Sequence, residues 1–288
     1  MNSSIAVNEY AHRLKSAYEH QEIVTQVAWW LLEKATGKGR SQLLLVKTIP
    51  HEAHQQVQMW IDQIVHGHKP VQYILGSVPF LDLEILVQPP ILIPRPETEF
   101  WCHHLLTQLR AASVKDIRIL DLCSGTGCIA LSLAKGLPAA DVTAVDINPQ
   151  ARDLIELNKE KNELYHCTAL VSDLFTQLPR GTKYNIITAN PPYISQKEWQ
   201  ALEPRIKEWE DPVALIAPHE GLEIIERIVQ HASMYLDAQI DAIAQVWIEV
   251  GSEQADTVVQ CFKDAGYTHI RVLKDQYGKD RVITGDRT

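Results

Sequence analysis

The four residues Asn190-Pro191-Pro192-Tyr193 carry the most concentrated chemistry in this chain of 288 residues. They follow an apolar, strand-like run from Tyr184 to Ala189 and lead into Ile194-Ser195. Successive prolines restrict φ and supply no N–H, so the backbone here can neither continue a sheet ladder nor enter a helix. A rigid turn rich in carbonyl acceptors is therefore presented at the end of a strand. Asn190 adds one acceptor oxygen and two donor hydrogens, and Tyr193 adds a flat π-face. The combination suits a planar –NH2 group, whose two hydrogens meet two acceptors while a ring lies against it. Taken alone, the stretch reads equally well as a turn that happens to hold two prolines.

A second constellation precedes it. Asp121-Leu122-Cys123-Ser124-Gly125-Thr126-Gly127-Cys128 opens from an apolar run. Gly125 and Gly127 allow a tight turn and a close approach of ligand to backbone at the start of the next helix. A dinucleotide fingerprint wants a third glycine, and Ala130 stands there as a permitted variant. Asp146 ends the following strand, placed to accept hydrogen bonds from ribose hydroxyls. Asp173 follows the third strand in Ser172-Asp173-Leu174 and is placed to receive an adenine amino group. Each carboxylate alone also reads as a loop or helix-capping residue. Their convergence is the stronger signal, because ligands of open α/β sheets sit at the carboxyl ends of strands near the topological switch point. Asp121 with its glycines, Asp146, Asp173 and Asn190 are thus expected to line one crevice.

The elements that must position these residues follow from periodicity. After residue 116 the chain alternates strand and helix, which predicts a mostly parallel sheet covered by helices. Strands are expected at Ile117–Leu122, Asp141–Val145, His166–Val171, Tyr184–Ala189 and Ala242–Val250. Helices are expected at Ile129–Lys135, Pro149–Lys161, Gly221–Leu236 and Glu253–Ala265. His269–Leu273 and Arg281–Gly285 close the chain as an antiparallel hairpin. Residues 1–75 instead carry helical stripes, Ile5, Tyr10, Leu14 and Tyr18, then Ile23, Val27, Trp30 and Leu31. Ser41 is expected to cap a short helix through Leu45, and Glu52–Val65 a longer one. From Pro70 to Pro96 short apolar runs broken by prolines read as a β-hairpin linker, and Pro96 as the first residue of a helix. The expected organisation is a helical substrate-recognition domain at 1–75, a hairpin linker at 76–100 and a catalytic domain at 101–288.

Composition narrows the function classes. Apolar residues make up 45% and charged residues 22%, as in ordinary globular proteins. A net charge of −9 argues against stable grip on nucleic-acid backbone, which needs clustered Lys and Arg. The five cysteines are scattered without a CxxC pair, so neither a disulfide framework nor a metal site is expected. His51-Glu52-Ala53-His54 spaces its histidines three apart rather than four and fails the zinc-protease pattern. No apolar run reaches membrane-spanning length and no secretory leader pattern opens the chain, so a cytoplasmic protein is expected.

The sheet region resembles class I S-adenosylmethionine-dependent methyltransferases, and the NPPY turn resembles those acting on a planar nitrogen. More closely, nearly the whole chain resembles the release factor glutamine methyltransferases, the HemK/PrmC family. The resemblance rests on Pro70–Gly76, Leu92–Glu99 with its Arg95-Pro96-Glu97-Thr98-Glu99 run, Asp121–Gly127, Asn190–Tyr193, Ile248–Gly251 and Gly278–Val282. It implies an α/β, Rossmann-like sheet with an antiparallel C-terminal hairpin and an all-helical N-terminal domain. It implies that Cys123, Ser124, Gly125, Thr126 and Gly127 hold the methionine portion of S-adenosylmethionine, Asp146 the ribose, and Asp173 and Leu174 the adenine, with Asn190 bordering the cofactor. It implies that Asn190, Pro191 and Pro192 bind the glutamine of the Gly-Gly-Gln loop of peptide chain release factors, with Tyr193 packing beside it. A monomer needing no metal is expected. Cys123 stands where the family often has glycine and Leu174 where it often has an aromatic ring; Ala217–Gly221 replaces a more glycine-rich segment. Other readings are glutamine methylation of a ribosomal protein, adenine methylation in nucleic acid, and a non-catalytic nucleotide-binding module. The Arg95–Glu99 run argues against the first, the acidic charge against the second, and intact Asn190 and Asp146 against the third.

Overall fold

The structure is a computed structural model that describes residues 2–18, 20–112, 116–237 and 243–287. Two compact units emerge: residues 1–77 with 203–209, and residues 78–202 with 210–288.

The first unit is helical. Helix α1 (Ser3–Leu14) is capped by Asn2, whose side chain accepts from the Ile5 N–H, and α2 (Gln21–Thr36) ends at Gly37 in the left-handed region. Then come α3 (Arg40–Leu44), α4 (His51–Val65) and the single turn α5 (Val71–Leu75). Tyr10, Leu14, Val27 and Leu31 are buried as the stripes require, but Ile5, Ile23 and Trp30 are exposed. The small residues Ala6, Ala11 and Ala28 let the helix backbones approach, so the core-facing stripe runs through them instead. Gly39, not Ser41, occupies the N-cap of α3; Ser41 lies inside its first turn. Val71–Leu75 is helical rather than part of a hairpin. Pro70 sits at its N-cap and Gly76, at φ 82°, stops it. Residues 203–209 complete this unit. The Trp209 indole N–H donates to the Gly67 carbonyl at 2.8 Å, its ring lies 6.4 Å from that of Tyr73, and the Lys69 ammonium sits 5.1 Å away from it.

The second unit begins with a two-stranded hairpin, β1 (Ser77–Phe80) and β2 (Leu83–Leu86), turned at Leu81 with φ 49°. Phe80, Leu83 and Ile85 are buried in the core of this unit. Helix α6 (Pro96–Ala111) starts at the proline, with Glu97 and Glu99 in its first turn. The alternation follows: β3 (Arg118–Leu122), α7 (Cys128–Gly136), β4 (Asp141–Asp146), α8 (Pro149–Asn162), β5 (Cys167–Val171) and β6 (Ile186–Ala189). Next are α9 (Gln196–Ala201), the turn α11 (Pro218–Gly221) and α12 (Glu223–Ala232), with α10 (Pro204–Lys207) between α9 and α11 in the chain but belonging to the first unit. Strand β7 (Val246–Glu249), α13 (Ala255–Asp264), β8 (Thr268–Lys274) and β9 (Asp280–Asp286) finish the chain. Ala242, the expected start of the β7 strand, lies outside the described residues.

The seven strands run in the order β5-β4-β3-β6-β7-β9-β8, parallel except for β9 and β8. Strands β3, β6 and β7 are buried over most of their length, as expected where helices cover both faces. Side chains alternate between the two faces. Ile119 and Trp247 pack on the side of α6 and α7, while Leu120, Leu122 and Ile248 pack on the side of α12 and α13. The order reverses between β3 and β6, and the crevice opens there.

Candidate active site

Strand β3 leaves the sheet through a loop that turns three times in the left-handed region, at Cys123 (φ 56°), Gly125 (φ 54°) and Gly127 (φ 80°). Glycine adopts this conformation at no steric cost, and Cys123 does so with a side chain. Ser124 is buried and ties the loop down: its hydroxyl donates to the Asp121 carbonyl at 2.8 Å and accepts the Val145 N–H at 3.0 Å. Gly127 opens α7, and a Cβ there would stand 3.0 Å from Ile155. Asp146, at the end of β4, receives the Gly125 N–H at 2.8 Å and the Asn148 N–H at 2.9 Å on separate oxygens. Burial pushes its pKa up against the pull of these two donors.

Beneath this loop Asp121 is fully buried, with Oδ1 receiving the Thr188 hydroxyl at 2.8 Å and Oδ2 without a partner among the described residues. Burial raises its pKa to about 7. It does not line the crevice as expected: residue alternation along β3 turns it to the face covered by α6 and α7, under its own loop.

The cleft encloses about 900 Å³, part of it open to solvent. Of the residues singled out in the sequence, Cys123, Gly125, Asp146, Asp173, Leu174, Asn190 and Pro192 line it. Ser124, Thr126, Gly127, Pro191 and Tyr193 adjoin these residues in the chain but are not part of the lining. Asp173 is clasped by Arg227, whose guanidinium reaches both carboxylate oxygens at 2.8 and 2.9 Å.

Sequence reasoning missed Ile91, Ile147, Asn148, Asp211, Val213 and Arg227, which also line it. Ile147 and Val213 keep 55% and 62% of their surface exposed, so the cleft presents apolar side chains beside its carboxylates. Asp211 is placed by its neighbour: Glu210 is buried and held by Arg95 at 2.7 and 2.5 Å, while the Asp211 N–H donates to the Pro90 carbonyl at 2.8 Å. Arg95 was visible as a family marker, but nothing in the sequence paired it with Glu210.

At the other end of the cleft the NPPY turn is gripped from behind. The Asn190 amide nitrogen donates to the Thr98 hydroxyl at 3.2 Å, and that hydroxyl donates to Glu249 Oε2 at 2.7 Å. The Trp101 indole N–H reaches the same oxygen at 2.8 Å, and the Tyr193 hydroxyl approaches Oε1 at 3.4 Å. Burial pushes the pKa of Glu249 up, with the Trp101 and Thr98 donors and the Arg281 guanidinium pulling it down. Burial and the Glu249 charge hold the Tyr193 phenol protonated. Gln254 clamps the turn from a second side, donating to the carbonyls of Tyr193 at 2.9 Å and Glu220 at 3.0 Å. His219, Glu220 and Gly221 form a left-handed run, and a Cβ on Gly221 would stand 2.1 Å from the Tyr193 carbonyl oxygen.

The donor set fits S-adenosylmethionine. Among the described lining residues Asp146, Asp173 and Asp211 outnumber the cation Arg227, which suits a cofactor carrying a sulfonium and an ammonium charge. The exposed apolar chains of Ile147 and Val213 suit its flat base, and each Asp146 oxygen keeps a lone pair for a hydroxyl. A seven-stranded sheet in this order, with its cleft at the switch point, defines a class I S-adenosylmethionine-dependent methyltransferase. The fold is similar to that of a methyltransferase from Pyrococcus furiosus (TM-score 0.52, 13% identity, covering 82% of this chain and 100% of the other).

Comparison with known families carries this further. Residues 98–207 match the methyltransferase small domain and residues 6–76 the PrmC N-terminal domain. The release factor glutamine methyltransferase of Streptococcus pneumoniae is 35% identical over 243 residues, 84% of each chain. That of Salmonella typhimurium is 34% identical over 257 residues, 88% of this chain and 89% of the other. The chain belongs to the release factor glutamine methyltransferase family.

Proposed function

We propose that this protein methylates the side-chain amide nitrogen of the glutamine in the Gly-Gly-Gln loop of peptide chain release factors, using S-adenosylmethionine. The observation that supports the reading best is the anchorage of Asn190. Its amide nitrogen is held by Thr98, so its carboxamide oxygen is free for a substrate –NH2 in the cleft that contains Asp146.

An amide nitrogen is a poor nucleophile because its lone pair is delocalised into the carbonyl. When bound, S-adenosylmethionine supplies an electrophilic methyl group. Asn190 Oδ1 and the Pro191 carbonyl accept the two amide hydrogens and orient the nitrogen, and these acceptors also stabilise positive charge growing there. Pro192 keeps that carbonyl out of any helix and Tyr193 holds the turn to Glu249. Asp146 is the residue for the ribose hydroxyls; Gly125 and Cys123 border the methionine portion, and Leu174 with Asp173 the adenine. Ser124, Thr126 and Gly127 serve by shaping the loop.

The helical unit is the docking surface for the release factor. We take the enzyme to act as a cytoplasmic monomer without stable nucleic-acid binding, a reading supported by its charge of −9 and by the translation machinery as the home of its substrate.

Mass spectrometry of a release factor incubated with the protein and S-adenosylmethionine tests this. One added methyl group on the Gly-Gly-Gln glutamine is the expected result. An unmodified release factor alongside confirmed cofactor binding overturns the choice of substrate.

A further inference from the structure

The hydrogen bonds behind Asn190 run in one direction only. Indole N–H is a donor and nothing else, and a carboxylate only accepts. Trp101 therefore requires the oxygen it meets, Glu249 Oε2, to be an acceptor. The Thr98 hydroxyl, 2.7 Å from the same oxygen, must spend its single hydrogen there. What Thr98 then offers Asn190 at 3.2 Å is a lone pair, and only the –NH2 end of the Asn190 carboxamide can satisfy it. Thr98, Trp101 and Glu249 are 2%, 3% and 1% exposed, so water is kept from substituting for any member.

This order matters because an asparagine side chain has two ends of nearly equal shape. With the oxygen toward the cleft, Asn190 accepts from a substrate –NH2; flipped, it would set N–H against N–H and leave both unsatisfied. We infer that Thr98 and Glu249 are positioning residues for methyl transfer, a one-way relay that presents the Asn190 oxygen and not its –NH2 to the acceptor amide. The inference rests on the proposed function, since it is an –NH2 acceptor that makes the orientation count. It gives a role to two of the stretches that mark the family, Arg95–Glu99 and Ile248–Gly251, which approach the NPPY turn from α6 and β7.

The relay works through direction rather than charge, which separates its variants. Glu249→Gln can keep its carbonyl oxygen under Trp101 and Thr98 while its –NH2 faces the Tyr193 hydroxyl, so the order survives. Thr98→Val removes the hydroxyl at nearly constant shape, and Thr98→Ser restores it.

The test measures release factor methylation, cofactor affinity by calorimetry and thermal unfolding for the full chain. Selective nitrogen-15 labelling of asparagine adds an acceptor-free readout, the Asn190 –NH2 resonance. Thr98→Val, with Thr98→Ala as a second variant, is expected to lower kcat roughly tenfold or more, the effect of about one hydrogen bond. Cofactor affinity should stay unchanged and the Asn190 –NH2 signal should lose its hydrogen-bonded shift. Thr98→Ser should recover kcat, and Glu249→Gln should lie closer to wild type than Thr98→Val does. A Thr98→Val protein with wild-type kcat and an unmoved Asn190 signal overturns the relay. A wild-type protein that methylates no release factor, while Thr98→Val still shifts that signal, overturns the substrate and leaves the relay standing.

Discussion

The two ends of the cleft are built on opposite terms. At the cofactor end one carboxylate is open: Asp173 and its partner Arg227 keep about 42% and 35% of their side chains exposed, while the more buried Asp146 is met by backbone N–H groups of its own and the neighbouring loop. At the acceptor end Asn190 rests on Thr98, Trp101 and Glu249, all buried and drawn from two distant elements. An open carboxylate tolerates a cofactor that must enter and leave at each turnover. A buried, fully directed network instead fixes one orientation of a side chain that has two, where an error of orientation abolishes the fit.

Substitutions at each end should break this contrast in different ways. Asn190→Ala should have the largest effect, lowering kcat on the order of 10²–10³-fold as for loss of one preorganised charge-stabilising group. Calorimetric affinity for S-adenosylmethionine should hold; equal loss of both would remove Asn190 from the acceptor end. Asp146→Ala should do the reverse, weakening cofactor binding by roughly 10–100-fold, the worth of a charged hydrogen bond. It should also loosen the Gly125 loop, which limited proteolysis would detect.

Gly221→Ala tests how firmly the acceptor turn is clamped. A methyl group there runs into the Tyr193 carbonyl at φ 85°, and a loss of about 2 kcal/mol is expected in chemical denaturation. An unchanged midpoint would mean that the turn yields freely.

Asp121 gives a pH signature. Its pKa in the folded protein, about 7, lies above its ordinary value of 3.8, so the native state binds the extra proton. Its contribution to stability is therefore present near pH 4 and is lost as pH rises through about 7, with a slope of up to roughly 1.4 kcal/mol per pH unit. Asp121→Asn should flatten that limb of the stability curve. Arg227→Ala should matter least, since a half-exposed ion pair contributes about 1 kcal/mol or less. A change in cofactor affinity above about tenfold would make Arg227 part of the binding machinery.

Much of the sheet was legible because its evidence is local. Five residues with period-two or continuous apolar character, followed by glycine or aspartate, identify a strand and its loop without knowledge of any neighbour. Asp146, Asp173 and Asn190 could be read at strand ends for that reason, and Gly125 with them, while Cys123 came in only through the family resemblance. Val71–Leu75 failed the same logic. Val71, Tyr73 and Ile74 are β-formers by composition, and only Pro70 and Gly76 at its ends decide for a helical turn. Asp121 was placed in the crevice because its loop is there, whereas the strand's alternation sends its side chain to the opposite side. The network behind Asn190 was out of reach. Thr98 and Glu249 stand 151 positions apart, and Arg95 and Glu210 stand 115 apart, so no local pattern links them.

The helical unit is also discontinuous in sequence. Its last piece, residues 203–209, brings the Trp209 ring beside Tyr73 and caps the Gly67 carbonyl. During synthesis, then, the first unit to emerge from the ribosome is the one that must wait longest for completion. Its helices can form as soon as they emerge, but its closing side chain arrives only after strands β1 to β6 have been made. An attempt to transplant the unit as residues 1–77 would carry it away unfinished, and a working graft has to bring the seven-residue strap along.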